Sequence, residues 1–222
     1  MVSIIRRHIN RFPDYITNGL LIQKILQLLK LAGFVIEPYY LVQEGLFGVV
    51  DFETEKNYNN FEFTELGLQD MPALDRFDGR SIRKETLQKR IKQGHKCFAL
   101  KTDGSIAAFT WCNPNEIHHY KLSSRTLKQR EAYLYDAQTH YNFRGRNLAP
   151  YLRYKSYYAL NLMGFDILYS CSDYFNRPAI RFKQKLNARF LSIGMNLNLI
   201  GLYKKSWVIK QLADVEIMDN KV

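Results

Sequence analysis

The hydrophobic positions of this chain change period several times, and each change predicts an element. GLLIQKILQLLKLAGF (19–34) is apolar except at Gln23, Lys24, Gln27 and Lys30, which fall on one side at helical spacing. That spacing predicts an amphipathic helix ended by Gly33. FVIEPYYLVQEGLFGVV (34–50) reads as a strand pair, and the polar stretch DFETEKNYNN (51–60) separates it from the next apolar segment. FEFTELG (61–67) alternates as a strand. MPALDRF (71–77) and SIRKETLQKRIKQG (81–94) read as short helices, the second capped by Ser81 and stopped by Gly94. KCFALKTDGSIAAFTWC (96–112) has apolar arms around Asp103-Gly104, the pattern of a β-hairpin.

The second half continues the alternation. EAYLYDAQTH (131–140) reads as a strand and RNLAPYLRYKSYYALNLMG (146–164) as a helix. That helix has Leu148, Leu152, Ala159 and Met163 on one side, Pro150 in its first turn and Gly164 at its end. FDILYSCS (165–172) and RPAIRFKQKL (177–186) give a strand and a helix, and two strands close the chain near RFLSIGMNLNLI (189–200) and LYKKSWVIKQL (202–212). From residue 61 the order is β-α-α-β-β-β-α-β-α-β-β. This is an α/β pattern with an antiparallel start and one strand–helix–strand crossover, expected to be right-handed. The expected organisation is an N-terminal extension, residues 1–60, packing on a domain of residues 61–222.

Charge narrows the partners. The 222 residues carry 32 Lys and Arg against 21 Asp and Glu, a formal net charge of +11. Such a surface favours nucleic acid, an acidic membrane leaflet or a phosphorylated small molecule. The basic residues are scattered and no nucleic-acid-reading motif is present, which disfavours the first. The N-terminal amphipathic helix is too interrupted to cross a bilayer. With Arg6, Arg7 and Arg11 upstream, it either packs on the body of the protein or docks peripherally on an anionic membrane. Cys97, Cys112 and Cys171 are far apart and form no CxxC or Cys/His cluster, so no metal is expected. Each reads as a small buried apolar residue in a reducing compartment. The start of the chain lacks the apolar core and cleavage site of a secretory signal, so the expected location is the cytoplasm, with the membrane surface as the alternative.

The chemistry concentrates in the crossover. NFRGRNLAPYLR (142–153) places Gly145 between Arg144 and Arg146 where a strand gives way to a helix. A helix N-terminus has unpaired N–H groups and the positive end of the dipole, and a glycine lets a ligand approach the backbone. The residues fit either a phosphate-holding loop or a solvated basic turn. Neither a Walker A loop nor GxGxxG is present.

Taken with NRPAIRFKQKL (176–186), the stretch THYNFRGRNLAPYL (139–152) resembles the GNAT superfamily of acyl-CoA-dependent N-acyltransferases, over about residues 61 to 210. The family's pyrophosphate loop, Arg/Gln-x-x-Gly-x-Gly/Ala, falls on residues 142–147, where Gly145 matches while Asn142 and Asn147 depart. The resemblance implies a mixed, mostly antiparallel sheet with a central β-α-β crossover and helices on both faces. It implies that the backbone of Arg144, Gly145, Arg146, Asn147, Leu148 and Ala149 holds the pyrophosphate of acetyl-CoA or another acyl-CoA. The strand before the loop would splay from its neighbour, so that Ala137 and Thr139 pair with the pantetheine arm. Asn176 would contact the pantetheine or the sulfur end. Lys183 stands where many members carry a tyrosine that protonates the leaving thiolate; it would donate a proton, contact coenzyme phosphates or be a solvated surface residue.

The implied reaction is direct attack of an amine on the thioester, which needs a base, oxyanion donors and a proton for sulfur. Glu131 and Asp136 are the candidate bases, and Tyr174 and Ser172 the candidate acids. His118, His119 and His140 read as exposed loop residues, and Cys171 as a buried non-nucleophile. The expected function is N-acyl transfer, with acetyl as the acyl group, to a small anionic or sugar-linked amine. A non-catalytic acyl-CoA sensor or scaffold with the same fold is the alternative.

Overall fold

The computed structural model describes residues 20–48, 58–75, 77, 82–117 and 125–213. The elements are α1 (Leu20–Leu31), β1 (Phe34–Glu44), β2 (Glu62–Glu65), α2 (Met71–Asp75), α3 (Lys84–Lys92), β3 (Lys96–Thr102), β4 (Ser105–Asn113), β5 (Glu116–Ile117), β6 (Arg125–Thr126), β7 (Glu131–Thr139), α4 (Leu148–Leu162), β8 (Ile167–Asp173), α5 (Arg177–Lys185), β9 (Arg189–Leu199) and β10 (Tyr203–Gln211). Eight strands form one sheet in the order β10-β9-β1-β8-β7-β4-β3-β2, while β5 and β6 pair separately. Every neighbouring pair in the large sheet is antiparallel except β7 and β8, which α4 connects. The sheet is therefore mixed and mostly antiparallel with one β-α-β crossover.

The apolar runs of β3 and β4 arise because both faces of the sheet are covered. Phe98, Leu100, Ala108, Cys112, Ala132 and Leu134 face α4, packing against Leu148, Leu152 and Leu160. Cys97, Ala99, Phe109 and Trp111 face the other way, onto Met71, Leu74 and Leu87 of α2 and α3. Helices thus lie on both faces. Cys97 and Cys112 are buried as expected, and burial pushes the Cys112 thiol up to about 12; Cys171 is only partly buried.

The N-terminal region differs from expectation. Where a strand pair was expected at 34–50, the described residues, 34–48, hold a single strand, Phe34–Glu44; residues 49 and 50 lie outside them. The strand does not pack on the domain as part of an extension. It lies inside the sheet, paired with β8 on one side and β9 on the other. Its inward residues Tyr39, Val42 and Glu44 are buried at 2%, 0% and 0% exposure, which no peripheral strand would show. An expected domain boundary at residue 60 therefore falls between two strands of the same sheet.

The rest departs only in detail. α3 starts after Arg83; Ser81, the expected cap, lies outside the described residues, as do Arg6, Arg7, Arg11, His118 and His119. β5 and β6 have two residues each, too few to show a period. α1 leaves Ile25, Leu28 and Leu31 exposed and is tied to β1 by the Lys30–Glu37 ion pair of 3.1 Å. Among the described residues no helix is long and apolar enough to cross a membrane.

Candidate functional site

β7 and β8 pair in parallel from Glu131–Ile167 to Leu134–Ser170 and no further, although both strands continue, to Thr139 and to Asp173. Two features part them. β7 carries a bulge: Trp111 of β4 faces Tyr135 and Phe109 faces Gln138, so β7 takes an extra residue, and Asp136 there has φ +50. β8, in turn, stays bonded to β1, with Cys171, Ser172 and Asp173 opposite Leu41, Tyr40 and Tyr39. On the β7 side of this divergence is a small cleft lined by Phe109 and Thr110 of β4, Ala137 and Thr139 of β7, Ala149 and Arg153 of α4, and Phe182 of α5. The structure thus brings Ala137 and Thr139 to a cleft wall, on a stretch of β7 with no strand partner on its β8 side among the described residues.

The loop that follows β7 is built as an N-terminal approach to α4, and Phe143, Gly145, Arg146 and Asn147 line a hollow with Tyr58, Phe61 and Asp103. A 3₁₀ turn, Tyr141–Phe143, follows β7, with the His140 ring nitrogen accepting from the Asn142 N–H at 3.3 Å. Arg144 Nε donates to the Thr139 carbonyl at 3.2 Å, and Arg146 lies over the Phe143 ring at 5.5 Å. Gly145 has φ +81, in the left-handed region where side chains are disfavoured. Asn147 takes φ +56 and precedes α4, but its side chain does not cap the helix; it accepts instead from Lys185 Nζ at 2.8 Å. The first intrahelical bond to Asn147 comes from Tyr151, so the N–H groups of Leu148 and Ala149 lie in the unpaired first turn, which Pro150 shares without a donor. Lys185 joins Arg144 and Arg146 around this turn, a third cation that sequence spacing did not single out.

The candidate bases are elsewhere. Glu131 opens β7 at the closed end of the β7–β8 pair, about 20 Å along the strand from Ala137. It is buried at 6% exposure and accepts from Arg125 Nη2 and the Lys128 N–H, both at 2.9 Å. Asp136 sits at the bulge, but its carboxylate is bound by Arg90 at 2.8 Å on the α3 face. Arg90 also stacks over Trp111 and Tyr135, each at 5.1 Å. Of the candidate acids, Ser172 is buried at 6% in β8. Tyr174 is half-exposed just beyond β8 and stacks on Tyr40, with ring centroids 5.0 Å apart. Asn176 caps α5, its side-chain oxygen accepting from the Ala179 N–H at 3.2 Å. His140, read as an exposed loop residue, packs among the rings of Phe77, Tyr141 and Phe143.

Lys183 is buried rather than solvated. Its side chain is 2% exposed, and Nζ lies 2.5 Å from Ser170 Oγ and 3.2 Å from Glu44 Oε1. Glu44, wholly buried at the end of β1, also receives Tyr157 OH at 2.6 Å, the Ser170 hydroxyl and Arg153 Nε at 3.4 Å. Burial would raise the Glu44 carboxyl, but Arg153, Lys183 and the two hydroxyls outweigh it and hold it at about 2. Burial pulls Lys183 down while Glu44 opposes it. Glu44 and Arg153 were not anticipated. The available signals were slight: a glutamate closing an apolar strand, and an arginine at 153 sharing a helical face with Tyr157 and Leu160. Among the described residues no group of three or more His, Cys, Asp or Glu could hold a metal ion.

No protein-family model matches the chain, and no curated protein sequence matches it. Solved structures do. A protein from Novosphingobium aromaticivorans DSM 12444 described as a GNAT-family acetyltransferase shares 20% identity over 75% of this chain, with a TM-score of 0.50. A GNAT-family acetyltransferase from Colwellia psychrerythraea shares 13% over 78%, at 0.52. A glucosamine N-acetyltransferase region of a fungal multi-domain β-N-acetylglucosaminidase shares 13% over 79%, at 0.56. The chain spans 66%, 60% and 22% of those three proteins, less than two thirds of each. Together with the parting of β7 from β8 and the loop before α4, these likenesses show that the chain has the fold of the GNAT superfamily of N-acyltransferases.

Proposed function

We propose that the cleft between β7 and β8 binds an acyl-coenzyme A and that the protein transfers the acyl group, acetyl in the first instance, to an amine. The observation that carries this reading is the parallel pair that stops at Leu134–Ser170 and opens directly beneath the first turn of α4. Amides of residues 144–149, flanked by Arg144, Arg146 and Lys185, suit a pyrophosphate. The stretch of β7 at Ala137 and Thr139, which has no strand on its β8 side among the described residues, suits the amides of a pantetheine arm. Acceptors to try first are anionic and sugar-linked amines, which fit the +11 charge and the aromatic content of 15 Tyr and 14 Phe. Cytoplasmic location, with peripheral membrane contact through α1, belongs to the same proposal.

A second reading, a non-catalytic acyl-CoA sensor, draws on the carboxylates: Glu131 and Asp136 are both held by arginines rather than offered to the cleft. Thermal unfolding with acetyl-CoA, longer acyl-CoAs and free coenzyme A separates the possibilities. Stabilisation is expected, and its absence with all of them would remove the coenzyme reading. Where stabilisation is found, thiol release with a panel of amines distinguishes enzyme from sensor.

A further inference from the structure

A carboxylate has about four lone-pair positions, and those of Glu44 are all engaged. Tyr157 and Arg153 Nε approach Oε2, while Ser170 and Lys183 approach Oε1. Arg153 Nη1 is left over: it is buried and has no hydrogen-bond partner among the described residues. The side chain is only 4% exposed and forms part of the cleft wall beside Phe182 and Thr139. A guanidinium cannot lose its proton, so neither its charge nor its N–H groups can be removed by titration. Glu44 faces both Arg153 and Lys183, and because burial lowers Lys183 toward its neutral amine, Arg153 is the cation that keeps its charge beside the cleft.

A charge kept in a buried site is met better by an anion than by a neutral carbonyl. The acyl transfer proposed above puts negative charge first on the thioester oxygen and then on the leaving sulfur, and the sulfur is where it remains once the C–S bond has broken. The amine nitrogen attacks the thioester carbon, the N–C bond forms, and a proton passes from nitrogen to cleft water. The C–S bond breaks with its electron pair on sulfur, giving the coenzyme thiolate. Arg153 follows Ala149 by one helical turn, about 6 Å further along α4 from the loop amides. It is thus set back from that loop, toward the end where the thioester would lie. We propose that Arg153 Nη1 binds the leaving thiolate of coenzyme A, so that departure of sulfur is assisted by charge rather than by an acid. This rests on the acyl-CoA reading.

The test compares coenzyme A with its desulfo analogue, which lacks the thiol, by calorimetry on the full chain from about pH 7 to about pH 10, a range spanning ordinary thiol titration. If Arg153 binds the thiolate, affinity for coenzyme A should rise roughly tenfold with pH relative to the desulfo analogue, then level off once the free thiol itself ionises. Arg153→Met should abolish that rise while binding the desulfo analogue as before, which also shows that the variant is folded. Arg153→Lys, which keeps the charge, should retain part of the rise. Equal pH dependence for both compounds with the wild-type chain, or a full rise in Arg153→Met, would overturn this proposal alone. Binding of neither compound to the wild-type chain would overturn the acyl-CoA reading and this proposal with it.

Discussion

The carboxylate of Glu44 lies 3.2 Å from the ammonium of Lys183, both side chains buried, which ties the end of β1 to α5 across β8. A buried ion pair adds little over an apolar pair of the same shape, yet removing one partner strands a charge in the interior. Here the pair is part of a network of five side chains drawn from β1, α4, β8 and α5. It fixes how α4 and α5 sit on the sheet, and so where Arg153 and Phe182 stand in the cleft wall.

Acid should weaken the protein through this group. Glu44 is held at about 2 against an ordinary 4.5. A carboxyl lowered by folding stabilises fully above its unfolded value and loses that contribution as pH falls toward its folded value. The window therefore runs from 4.5 down to about 2. Linkage puts the contribution of Glu44 at about 3 kcal/mol. Asp70, which Lys101 holds down against partial burial, titrates in the same region, so the measurement must be differential. Urea unfolding at stepped pH should show a slope that Glu44→Gln flattens; an equal slope in the variant would assign acid sensitivity to Asp70 and the surface carboxylates.

A chain beginning at residue 58 should fail to unfold cooperatively. It lacks β1, leaving β8 without its antiparallel partner and separating β9 and β10 from the sheet. It also leaves Lys183 and Arg153 without Glu44. Near-ultraviolet dichroism and urea titration would report the loss. A sharp transition would show instead that β9 closes directly on β8.

How far each feature was legible in the sequence depends on how local its causes are. Elements from residue 61 onward were legible because their periods are long and local: the runs of β3 and β4, the Asp103-Gly104 turn, the apolar stripe of α4. The loop around Gly145 was legible because a tight turn leaves its mark on adjacent residues. The insertion of β1 between β8 and β9 was not, since strand order depends on partners far apart in sequence. Lys183 stayed open among several roles, and Arg153 was not singled out, for a similar reason. A charged residue on a helix reads as solvated unless its partner is known, and Glu44 lies on a strand more than a hundred residues earlier.

Asp136→Asn and Glu131→Gln should alter stability rather than the pH profile of any acyl transfer. Asp136 neutralises Arg90, whose side chain is 22% exposed, and loss of that partly buried pair is expected to cost about 1 kcal/mol. Glu131 holds Arg125 and the Lys128 N–H at the far end of β7, where its removal should cost about 1–3 kcal/mol. Urea unfolding gives the stabilities, and kcat/KM against pH gives the profile. An acidic limb, the loss of activity toward low pH, that disappears in Asp136→Asn would return that residue to the role of base.

Gly145 separates geometry from charge. Its φ of +81 disfavours any side chain, but a Cβ there would meet nothing within 4 Å. Gly145→Ala should therefore lose about 1–2 kcal/mol through the backbone alone, and still be stabilised by coenzyme A. Gly145→Glu suffers the same backbone strain and adds a carboxylate where a pyrophosphate is proposed to lie. Its own Tm should stay near that of the alanine variant, while the rise in Tm with coenzyme A disappears. If the glutamate variant keeps the full rise, the loop is only a basic turn and the phosphates must be held elsewhere.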